Sequence, residues 1–125
     1  MESIKSIFRI GHGPSSSHTM GPKTAAEQFR AANPDAVKYK VNLYGSLAAT
    51  GKGHFTDVAI AESLQPFEVE FNWFPEIILP FHTNGMKFEA FDAHGVLIKD
   101  WLVYSVGGGK IADEKLRRIQ RWRKE

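Results

Sequence analysis

Val37-Lys38-Tyr39-Lys40-Val41-Asn42-Leu43-Tyr44 alternates residue by residue. Successive side chains of a strand point to opposite faces, so Val37, Tyr39, Val41 and Leu43 share one face and Lys38, Lys40, Asn42 and Tyr44 the other. The pattern predicts a half-buried strand. On its N-terminal side, residues 23–32 are rich in alanine and place Phe29 inward. Pro22 suits the first turn of a helix, where a missing N–H costs nothing, and Asn33-Pro34 stops it. On the C-terminal side, residues 45–53 are spaced by glycines but contain Leu47, Ala48 and Ala49, which fits a short helix running into a loop. Residues 56–64 read as a helix, with Thr56 placed to cap its start and Pro66 to end it.

The second half of the chain is strand-like. Phe67, Val69 and Phe71 alternate with Glu68, Glu70 and Asn72, and residues 77–81 are short and apolar. Met86, Phe88, Ala90 and Asp92 alternate with Lys87, Glu89 and Phe91. Asp92-Ala93-His94-Gly95 is a turn signal, residues 96–106 return as the next strand, and Gly107-Gly108-Gly109 closes it. The expected fold class is therefore α+β: a mostly antiparallel, mixed β-sheet with helices packed on one face. Functional loops are expected at residues 11–22, 45–54 and 81–85.

At 125 residues and 42% hydrophobic content the chain supports one core. It has no cysteine, which excludes disulfides, a thiolate nucleophile and an iron–sulfur cluster held by this chain alone. No apolar run is long enough to span a membrane, and residues 1–5 do not resemble a signal peptide, so a cytoplasmic location is expected. The net charge of +2 is unevenly spread. Residues 110–125 hold seven Lys/Arg and three Asp/Glu, whereas residues 1–109 hold nine basic and eleven acidic side chains. The mildly acidic body argues against nucleic-acid binding. The division expected is a domain over 1–109 and a basic helix, tail or connector over 110–125, where Leu116, Ile119 and Trp122 form a narrow apolar stripe.

Gly13-Pro14-Ser15-Ser16-Ser17-His18-Thr19-Met20-Gly21-Pro22 concentrates hydroxyls and a histidine just before a helix. Such a loop can aim hydroxyls and helix-start N–H groups at a carboxylate, with His18 as a general base. A polar helix-entry turn, its hydroxyls acting as caps, accounts for the same residues equally well. Residues 50–54 supply Lys52 and His54 but lack the spacing of a nucleotide-binding phosphate loop. Phe81-His82-Thr83-Asn84-Gly85 is first a turn, with His82 and Asn84 able to face a ligand. His94, in a hairpin turn, is expected to be exposed and inert, and His12 is ambiguous. No two histidines have the spacing of a helix-borne metal pair.

Taken together, Gly-Pro-Ser-Ser-Ser-His-Thr at 13–19 with Gly21-Pro22, Tyr-Gly-Ser-Leu-Ala at 44–48, Thr-Gly-Lys-Gly-His at 50–54 with Asp57, Asn-Gly-Met at 84–86 and Tyr-Ser-Val-Gly-Gly-Gly at 104–109 resemble the β domain of bacterial iron–sulfur L-serine dehydratases. A looser likeness links the fold to the allosteric substrate-binding domain of some phosphoglycerate dehydrogenases. The resemblance implies conversion of L-serine to pyruvate and ammonia without pyridoxal phosphate. It implies a [4Fe-4S] cluster bound by a cysteine-containing helical α domain or α chain, acting on the substrate hydroxyl as a Lewis acid. Carried over by position, it implies His18 and His54 for proton transfer. Ser15, Ser16, Ser17 and Thr19 would hold the substrate carboxylate or order the loop, Lys52 would offset its charge, and Asn84 would touch the substrate. Thr83 departs from the pattern and is set aside. The isolated chain is expected to be inactive, and a homo-oligomer is open. A stand-alone module that binds serine or another anion is the alternative.

Overall fold

The computed structural model describes residues 16–50 and 55–113. A π-helical turn, Ser16–Met20, leads directly into helix α1, Gly21–Ala32, with Pro22 in its first turn. Strand β1 is Lys38–Tyr44, followed by helices α2, Gly45–Thr50, and α3, Thr56–Ser63. Strands β2 (Glu68–Phe74), β3 (Gly85–Phe91), β4 (Leu97–Gly107) and β5 (Lys110–Ala112) complete the order. They form one sheet in the order β2-β1-β3-β4-β5. The β1–β2 pair is parallel and the other three pairings are antiparallel, as expected for a mostly antiparallel mixed sheet.

The alternation of β1 becomes a division between two layers. Tyr39, Val41 and Leu43 are buried together with Met86, Phe88 and Ala90 of β3 and Val103 of β4. Ala25, Ala26 and Phe29 of α1, Leu47 of α2 and Ile60 of α3 close over them. Phe29 lies at the centre, its ring 5.6 Å from Phe88 and stacked at 6.2 Å on Trp101. The other face of β1 and β2 is a polar ladder. Lys38 pairs with Glu68, Lys40 with Glu70, and Asn42 accepts a 2.9 Å hydrogen bond from Asn72. At its end Tyr44 stacks on Phe74 at 5.6 Å. Opposite charges and paired amides side by side favour this parallel register.

One expected strand is absent. Residues 77–81 form no strand. Pro75 and Pro80 cannot donate to a ladder and restrict their neighbours. The segment is a loop whose Phe81 packs edge-on against Tyr104 at 4.8 Å. Residues 110–112 pair with β4 across a turn in which Gly107, Gly108 and Gly109 all take positive φ. The segment before residue 16 and the amphipathic stripe of Leu116, Ile119 and Trp122 lie outside the described residues.

Candidate functional site

The register places three chain turns at one end of the sheet. Leu43 pairs with Met86 and Gly85 with Tyr104, so the end of β1, the start of β3 and the end of β4 lie side by side. The π-helical turn carrying His18 packs against the neighbouring starts of α1 and α3 and against β4. Turns of this kind are often found at functional positions.

Two glycines permit the close approach. Gly45 has φ +55°, and a Cβ there would overlap the carbonyl oxygen of Thr83. The chain therefore swings from β1 into α2 with Ser46 against residue 83. The Ser46 N–H donates to both the carbonyl and the Oγ1 of Thr83, at 3.2 and 3.1 Å. Gly21, at the start of α1, lies so near Ser105 that a Cβ would overlap its side chain.

His18 is 7% exposed. Its Nε2 lies 3.3 Å from Ser46 Oγ, and its backbone carbonyl accepts a hydrogen bond from the fully buried Thr56 hydroxyl. Thr56 thus does not cap α3 as the sequence implied. The residue before the helix is Phe55, left-handed at φ 61°, with no side-chain cap.

Asn84 is also 7% exposed. Its Nδ2 donates to the Ser105 carbonyl at 3.2 Å, and the Ser105 N–H returns a 3.0 Å bond to the Asn84 carbonyl. The Asn84 N–H donates to His82 Nδ1 at 3.0 Å, which leaves the proton of a neutral His82 ring on Nε2. With its amide fixed in this orientation, Asn84 Oδ1 is enclosed yet has no hydrogen-bond partner among the described residues. A buried acceptor left unpaired costs about 1–3 kcal/mol, so it is a natural place for a donor from a ligand or water.

The structure therefore joins His18 to the loop before β3 through Ser46 and Thr83. Thr19 is half-buried beside His18. Ser15, Lys52, His54 and the side chains of Ser16 and Ser17 lie outside the described residues. His94 is exposed in its hairpin turn. Sequence reasoning singled out neither Ser46 nor Ser105, although both stand inside the quoted motifs. Thr83, set aside as a substrate contact, anchors Ser46 with a carbonyl that any residue would supply and a hydroxyl that few would. Among the described residues no group of three or more His, Cys, Asp or Glu is placed to hold a metal ion.

Comparison with known proteins follows the same motifs. The family model described as serine dehydratase beta chain matches residues 3–72 and 66–116. The chain belongs to the serine dehydratase beta chain family. The L-serine dehydratase of Mycobacterium bovis is 37% identical over 90% of this chain and 33% of its own length. L-serine dehydratase 1 of Escherichia coli is 33% identical over 92% of this chain and 34% of its own. The L-serine dehydratase of Helicobacter pylori is 32% identical over 90% and 33%. The chain thus spans about a third of the length of these relatives. The serine dehydratase beta chain match includes every turn that meets at the site.

Proposed function

We propose that this chain is the β component of an L-serine dehydratase, completing a site that converts L-serine to pyruvate and ammonia. The observation that carries the reading is the meeting of His18, Ser46 and the 82–84 loop at one end of the sheet, within a family match that covers most of the chain. His18 is the proton-transfer residue of the described part, and His54 is a second candidate. Thr19, Ser15, Ser16, Ser17 and Lys52 serve the substrate carboxylate. Asn84 offers Oδ1, an acceptor, to the substrate ammonium or a water on it.

An iron–sulfur cluster does not fit this chain. It has no cysteine, and the described residues bring no three or more His, Cys, Asp or Glu together to hold a metal ion. The cluster implied by the family is assigned to a cysteine-bearing helical α partner, which the relatives' greater length accommodates. Alone, the chain turns over no serine.

The test is anaerobic reconstitution with a cysteine-bearing α partner. Pyruvate should form, and His18→Ala should abolish it while the complex stays intact. Turnover by the α partner alone would overturn the reading. The unpaired Asn84 Oδ1 also suits a regulatory serine-binding module. Calorimetry decides between them: serine binding by the isolated chain, with no effect of His18→Ala on turnover, would favour the module.

A further inference from the structure

His18 presents a geometric difficulty as a base, since its side chain is nearly enclosed. Ser46, at the start of α2, is half-buried, and its hydroxyl lies 3.3 Å from the His18 Nε2. Ser46 is therefore the more exposed member of the pair. Both partners are fixed from behind. Thr56 holds the His18 carbonyl, and Thr83 holds the Ser46 N–H twice. Thr56 and Thr83, from two segments distant in sequence, hold the backbones of the pair.

We propose that Ser46 is a catalytic residue that relays the proton between substrate and His18. The inference rests on the reading of this chain as part of a serine-dehydrating site. The Cα–H bond of the substrate breaks, and its proton passes to Ser46 Oγ as the Ser46 proton passes to His18 Nε2. The Cα–H electron pair forms the Cα=Cβ bond, and the Cβ–O pair leaves with the hydroxyl. The proton held on His18 returns through Ser46 to that leaving hydroxyl, giving water. Ser46 and His18 end as they began. The net proton acceptor is the imidazole, and the hydroxyl extends the reach of a ring that is itself nearly enclosed.

The reconstituted complex tests the relay. In Ser46→Ala, kcat should fall roughly a hundredfold or more, the scale of a lost acid–base group, with little change in KM. Ser46→Thr, which keeps a hydroxyl, should recover much of the rate. The isotope effect with serine deuterated at Cα should rise in Ser46→Ala, because proton abstraction becomes limiting. A readout independent of turnover is the ¹⁵N spectrum of His18 in the 125-residue chain. Ser46→Ala should shift the Nε2 resonance and leave Nδ1 nearly unmoved. A wild-type complex that makes no pyruvate sinks the functional reading and the relay with it. An active wild type with a Ser46→Ala rate within a few-fold, or with an unmoved Nε2 resonance, sinks the relay alone.

Discussion

The hydroxyl of Thr56 donates to the backbone carbonyl of His18, 38 residues away in the chain. Thr56 is fully buried, and its bond ties the start of α3 to the π-helical turn. The position of His18 thus depends on a helix that starts 38 residues further along the chain.

Thr56→Val keeps the shape of the side chain and removes the donor. The His18 carbonyl then loses a partner in a buried setting, which costs about 1–3 kcal/mol. Urea unfolding of the 125-residue chain should show a lower midpoint with an unchanged slope. Thr56→Ser should stay closer to wild type, because the hydroxyl survives. Equal loss in both variants would mean that packing of the methyl group, and not the hydrogen bond, holds the turn.

Gly45→Ala meets two obstacles at once. A left-handed φ of +55° is unfavourable for alanine, and the new Cβ would overlap the Thr83 carbonyl. Backbone strain of this kind costs on the order of 1–3 kcal/mol, and relief requires Ser46 to move away from residue 83. The variant should be less stable in urea, and the amide resonances of Ser46 and Asn84 should shift together. Resonance changes confined to residues beside position 45 would show that the Ser46–Thr83 contact is not what the glycine protects.

The layers of this fold were legible in the sequence where the two faces of an element contrast. The alternation over 37–44 placed Tyr39, Val41 and Leu43 inward, and the structure buries all three. Val37, one residue before β1, is 43% exposed although its N–H bonds to the Phe91 carbonyl. Residues 77–81 were apolar without alternation, and composition alone cannot separate a strand from a loop that covers a tyrosine. The three residues of β5 are too few to show a period. At the site, His18 and Asn84 were visible because histidine and asparagine have distinctive chemistry in loops. Thr56 was misread because a helix cap and a long-range donor need the same side chain. The hold of Thr83 on Ser46 is invisible in the sequence because part of it belongs to a backbone carbonyl, which leaves no trace in residue identity.

Phe29 is the residue through which α1 holds the sheet. Its ring meets Tyr39, Phe88 and Trp101, one from each of three adjacent strands. Phe29→Ala leaves a cavity at that junction and should cost about 3–5 kcal/mol, against less for Phe29→Leu. Near-ultraviolet circular dichroism should also lose intensity, since the Trp101 ring loses its stacking partner. A cost below about 1 kcal/mol would show that the helix closes the gap without Phe29.

Tyr39 gives the fold a pH dependence. Burial raises the pKa of its phenol above the ordinary value, against the smaller opposing influence of the Arg30 guanidinium. Between the unfolded and folded values the native chain holds a proton that the unfolded chain has released. Stability therefore falls as pH rises. The contribution is fully present below about pH 10, the ordinary tyrosine value, and fades as the solution passes through the raised one. Urea midpoints measured from about pH 9 upward should decline more steeply for wild type than for Tyr39→Phe, whose ring cannot ionise. Lysine deprotonation affects both chains alike, so the difference between the two slopes isolates the phenol. Parallel slopes would mean that Tyr39 ionises as easily folded as unfolded, against the near-complete enclosure of its side chain.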